Sequence, residues 1–116
     1  MTAPRRGEVW LVDLGMAAKV RPAVVVSVPA ADTDRALVTI VPHTTSPRES
    51  RFEATVPVPF LKVGVFDAQN IVTIPHAKLV RHLGTLGKAQ FGIVERAMCL
   101  WLGLPSSGAD RPGPTS

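Results

Sequence analysis

Hydrophobic and polar positions alternate with a period of two along most of the first two thirds of the chain, which is the pattern of short strands. In "GEVWLVDL" (7–14), Val9, Leu11 and Asp13 fall on one face and Trp10, Val12 and Leu14 on the other. "PAVVVSV" (22–28) is a run of β-branched residues with no polar break, the pattern of a central strand buried on both sides. "PAADTDR" (29–35) is a polar turn. "ALVTIVPHT" (36–44) is a third strand, with Pro42 removing a donor near its end. "TSPRES" (45–50) reads as an exposed loop, and "RFEATVPV" (51–58) alternates again. "GVFDAQNIVTI" (64–74) predicts a short strand, a turn at Asp67 to Asn70 and another strand. "KLVRHLGTL" (78–86) is the last strand.

The period then changes. In 88–104, Phe91, Val94, Met98 and Trp101 or Leu102 recur at helical spacing, with Lys88, Glu95 and Arg96 on the opposite side. Gly103 and Pro105 stop the helix. The apolar stripe packs on the sheet, with part of it left for a subunit contact. The Pro-, Gly- and Ser-rich residues 105–116 read as a flexible tail after a single domain over 1–104. Many short strands and one terminal helix predict a mainly β fold, a strongly bent antiparallel sheet or partial barrel.

Composition narrows the function. A chain of 116 residues with 46% hydrophobic content suits one core. The net charge of +4 favours a polyanionic partner, nucleic acid or an acidic protein segment. The single cysteine, Cys99, allows no internal disulfide, in keeping with a reducing compartment. No apolar h-region follows the two early arginines, and no apolar run approaches a membrane span, so a cytoplasmic protein is expected. His43, His76 and His82 have no paired spacing, so neither a metal nor another cofactor is expected.

Polar residues at strand ends carry the chemistry. Arg21 opens the second strand and "HTTS" (43–46) closes the third. In antiparallel neighbours the start of one strand lies beside the end of the other, so Arg21 and Thr44 converge on one rim. Arg48 and Arg51 follow in the next loop. A guanidinium fork grips a phosphate and a threonine hydroxyl donates to its oxygen, which suits an RNA phosphodiester. Cleavage through the substrate's own 2′-hydroxyl needs a proton acceptor, charge stabilisation and a proton donor. His43 is the candidate acid or base by residue type, against the plainer reading of a core histidine. For Arg21 the plainer reading is an ion pair with Glu8 or Asp13. Trp10 and Phe52 could stack on bases, although such residues are more often core.

With these residues in view, the blocks "RRGEVWLVDL", "KVRPAVVVS", "IVPHTTS", "GVFDAQNIVTI" and "HLGTLGKAQFGIVERAMCLWLGL" resemble, in order and character, the MazF/PemK toxins of bacterial type II toxin–antitoxin systems. The resemblance spans roughly residues 5 to 104. It implies an SH3-like partial barrel and a homodimer. It also implies a metal-independent, sequence-selective endoribonuclease acting on single-stranded messenger RNA through a 2′,3′-cyclic phosphate. A cognate antitoxin with an acidic, partly disordered segment would neutralise it. The family's catalytic arginine and threonine map to Arg21 and Thr44. Lys19, His43, Thr45, Ser46, Arg48 and Arg51 are the accessory or RNA-binding candidates. An arginine stays protonated, so Arg21 stabilises charge and donates, and does not act as base. The link "GMAAKV" (15–20) is shorter than the family's usual loop and carries no acidic residue; Lys19 adds phosphate attraction there. Two alternatives stand beside this: a non-catalytic binder of RNA or antitoxin, and a gyrase-poisoning toxin of the same fold using "LWLGLP".

Overall fold

The computed structural model describes residues 3–15 and 20–105. Among these residues the chain forms β1 (Glu8–Asp13), β2 (Val20–Val25), β3 (Leu37–Thr44), β4 (Glu53–Ala54), β5 (Val65–Asp67), β6 (Val72–Pro75), β7 (Leu79–Thr85) and α1 (Lys88–Leu102). Short 3-10 turns, Ala68–Asn70 and His76–Lys78, carry β5 into β6 and β6 into β7. All pairings are antiparallel, in the order β4-β5-β3-β2-β1-β7, with β6 also on β3. β4 and β7 end this order without pairing to each other, so the bent sheet stays open.

Alternation along the strands sends side chains into two separate cores. Val9, Val24, Val26 and Val41 face one way and pack with Phe66, Val94 and Ala97, so α1 covers this side. Val12, Ala23, Val25, Val38 and Ile40 face the other way and meet Ile74, with Trp10, Leu14 and Leu79 beside them. Every residue of this second cluster comes from the sheet or its edge, so here the sheet curls onto itself. The valine run of β2 feeds both cores, which is why it carries no polar break.

Several elements differ from the expectation drawn from sequence. β2 begins at Val20 and ends at Val25, so Pro22 lies inside it, opposite Leu11. Its ladder ends where the Ser27 hydroxyl, in place of a carbonyl, accepts the Thr39 N–H at 2.9 Å. β4 is only two residues long, because Pro57 and Pro59 remove donors from the stretch that follows. The helix stops at Leu102: Gly103 takes φ 71°, and the Leu104 N–H returns to the Cys99 carbonyl at 2.9 Å. The buried stripe of α1 is Val94, Ala97 and Cys99, while Trp101 and Leu102 are exposed. The last turn runs past the core, and the Trp101 ring rests edge-on against Phe52. Arg6 ties the N-terminal segment down, donating to the Val26 carbonyl, pairing with Glu95 at 2.6 Å and lying over the Phe91 ring.

β3 changes partners along one edge. Leu37 to Ile40 pair with β6, and His43 and Thr44 pair with β5. Pro42, which has no N–H to offer, falls in the gap between them. Next to β5, Gly64 lies so close to β3 that a Cβ would stand 2.2 Å from the Thr44 carbonyl and 2.8 Å from the His43 ring. His43, 4% exposed, is the buried polar side chain among the described residues, with its ring edge-on to Phe66 at 5.0 Å.

Gly64→Ala should therefore push β5 off β3, lower stability by about 1–3 kcal/mol and shift Thr44. Thermal unfolding and the Thr44 amide resonance read the two effects. Burial holds the His43 imidazole below its usual 6.5. The unfolded chain then takes up the proton first as the solution is acidified. The stability from the neutral ring is complete above pH 6.5 and is lost as pH falls through the folded value. The melting temperature should drop as pH falls below 6.5, and His43→Leu, which does not titrate, should flatten that drop.

Candidate functional site

The register of the first three strands builds the site. Val12 pairs with Arg21, and Ala23 pairs with Pro42. Extended by two residues, the β2–β3 register sets Arg21 opposite Thr44. Arg21, Pro42 and Thr44 thus share the inward side of the curl with Val12, Val25 and Ile40. Leu14 and Val72 follow the same alternation. These residues reach the open end of the curl, where apolar packing gives way to a groove of about 520 Å³. Arg21, Thr44, Ser46 and Arg48 line it, facing Glu53, Asp67 and Asn70.

Each polar group has a definite setting. The Thr44 Oγ1 accepts the Ser46 N–H at 3.1 Å, which leaves its own O–H free to donate. Asp67 accepts from the Gln69 N–H at 3.1 Å and from the Asn70 side chain at 2.6 Å. Glu53 accepts the N–H groups of Arg48 at 2.9 Å and Ser50 at 3.0 Å. The acids that could have neutralised Arg21 are engaged elsewhere: Glu8 with Trp10 and the Arg5 N–H, Asp13 with the Gly15 N–H. Among the described residues Arg21 forms no ion pair. The Arg21 guanidinium is thus held at the groove without a carboxylate partner among these residues.

The sequence-derived candidates divide on this geometry. Arg21, Thr44, Ser46 and Arg48 come together. His43 borders the groove from its strand, but its ring points to the other side of the sheet, into the α1-covered core. Thr45 is exposed and does not line the groove. Arg51 lies 4.6 Å over the Phe52 ring, away from it. Lys19 falls outside the described residues. Trp10 stacks on His82 at 5.2 Å and Phe52 meets Trp101, so neither ring faces the groove. Glu53, Asp67 and Asn70 join the groove from outside the sequence-derived candidates. Asp67 and Asn70 sit in the turn of "GVFDAQNIVTI", and only the pairing of β5 to β3 carries that turn to Thr44. The rim is consequently mixed in charge, two arginines against two carboxylates, and is not the plain basic edge that composition suggests.

A groove with an arginine that has no ion pair among the described residues and a threonine hydroxyl on the adjacent antiparallel strand can grip an oxyanion from two sides. Comparison with known proteins agrees with the fold and with the family. The chain is similar to a mycobacterial endoribonuclease solved in complex with its cognate antitoxin, at 30% identity and a TM-score of 0.74 over 90% of this chain and 98% of that one. It is similar to the toxin MazF-mt6 of Mycobacterium tuberculosis at 26% identity and a TM-score of 0.72, over 84% of this chain and 97% of that one. The MazE–MazF complex of Deinococcus radiodurans shares the fold at 21% identity and a TM-score of 0.74, over 90% of this chain and 99% of that one. The model of the PemK-like, MazF-like toxins of type II toxin–antitoxin systems matches residues 5–102, and the chain belongs to that family.

Proposed function

We propose that this toxin-family chain is an endoribonuclease that cuts single-stranded messenger RNA at selected sequences without a metal ion. The observation that carries the proposal is the shared face of Arg21 and Thr44 at the groove. The scissile phosphate sits between them. The substrate's 2′-oxygen attacks phosphorus and forms the new P–O bond, while the bond to the 5′-oxygen breaks. The 2′-hydroxyl proton passes to solvent water at the open groove, and solvent water returns a proton to the departing 5′-oxygen. The products are a 2′,3′-cyclic phosphate and a 5′-hydroxyl. Arg21 neutralises the charge that builds on the phosphorane, and Thr44 donates its O–H to a non-bridging oxygen. Ser46 and Arg48 extend the grip along the strand. His43 supports the floor from the core side.

The mycobacterial relative was solved with its cognate antitoxin, and the Deinococcus toxin with MazE. The corresponding partner here is an antitoxin whose acidic, partly disordered segment folds across Arg21 and Arg48 and blocks the groove. The exposed Leu100, Trp101, Leu102 and Leu104 at the end of α1 support a homodimer. No helix among the described residues is long and apolar enough to cross a membrane. The cytoplasm, where messenger RNA and antitoxin meet, is the proposed location.

Incubating the purified protein with a long RNA in EDTA and mapping the new 5′ ends tests the reading. Cleavage at one short sequence, leaving 5′-hydroxyl ends, is expected; intact RNA, or cleavage only on adding a divalent metal, overturns it. Arg21→Ala should lower kcat by about 10²–10³ while the protein stays folded, as for loss of one donor to a developing oxyanion. Thr44→Val should lower it less, since Arg21 remains.

A further inference from the structure

The loop 45–52 between β3 and β4 is exposed over most of its length and has no core of its own. It nevertheless brings Ser46 and Arg48 to the groove. A single carboxylate closes it: one Glu53 oxygen accepts the Arg48 N–H at 2.9 Å and the other accepts the Ser50 N–H at 3.0 Å. Between them Glu49 takes φ 59°, the left-handed conformation that turns both N–H groups toward one acceptor. Glu53 itself sits on β4 opposite Asp67 of β5, and β5 pairs with β3 at Thr44. Arg48 is therefore tied to Thr44 through Glu53 and two strand pairings.

By charge alone, a carboxylate lining a phosphate groove weakens RNA binding. We propose that Glu53 does the reverse: it is a positioning residue that holds the Arg48 guanidinium against the RNA backbone, so its removal weakens binding. This rests on the ribonuclease reading above. The two roles have opposite signs, which makes them separable.

Glu53→Gln keeps the size and removes the charge, and its one amide oxygen cannot serve both N–H groups. Steady-state cleavage of a short oligoribonucleotide, at several salt concentrations, should show KM raised about tenfold with kcat nearly unchanged. The salt slope of binding should become shallower by about 0.7, one lost phosphate contact on a single strand. In an Arg48→Ala background the same substitution should change KM little, since Glu53 acts through Arg48. Hydrogen exchange at the Arg48 and Ser50 amides, measured without RNA, should quicken in Glu53→Gln while the rest of the sheet stays protected. A lowered KM with a steeper salt slope overturns the proposal, as does a collapse of kcat at constant KM or unchanged exchange at the two amides. Wild-type protein that cuts no RNA overturns instead the ribonuclease reading, and the exchange result still decides whether Glu53 holds the loop.

Discussion

Everything in this molecule hangs on the way β3 shares its two edges. One edge is given to β2 and the other is divided between β6 and β5, with Pro42 at the division. Because Pro42 has no donor, the ladder loses nothing by breaking there. The break lets β6 follow the curl inward while β5 swings toward α1. The groove opens where they part. Gly64 is the steric condition for this arrangement, since the close approach of β5 to the Thr44 carbonyl leaves no room for a side chain.

The same geometry explains the site's electrostatics. Arg21 is exposed and, among the described residues, without an ion pair, which for a charged side chain is cheap only at a solvent-facing rim. The two carboxylates across from it each accept two N–H groups from the loop and turn that carry them. Their charge is thus invested in backbone order, and the arginines stay available for an external anion. A short stretch of chain gains an arginine-lined mouth without a continuous basic surface.

His43 illustrates how residue type misleads when direction is ignored. It is next to Thr44 in sequence, yet adjacent residues on a strand face opposite sides, so the threonine reaches the groove and the imidazole reaches Phe66. The loss of water around the ring lowers its proton affinity, so its buried neutral form belongs to the packing of the core.

By itself the sequence determined the strand-rich architecture, the terminal helix with its glycine stop, and the convergence of Arg21 with Thr44. Each of these follows from local rules: period two, period 3.6, and the adjacency of one strand's start to its antiparallel neighbour's end. The blocks that carry the family resemblance lie in those same segments. Tertiary structure alone decided that Arg48 enters the groove while Arg51 turns onto Phe52, and that Glu53, Asp67 and Asn70 face them. Those placements depend on a two-residue strand, a left-handed Glu49 and the contact of Gly64 with β3, all set by long-range pairing that no local period encodes.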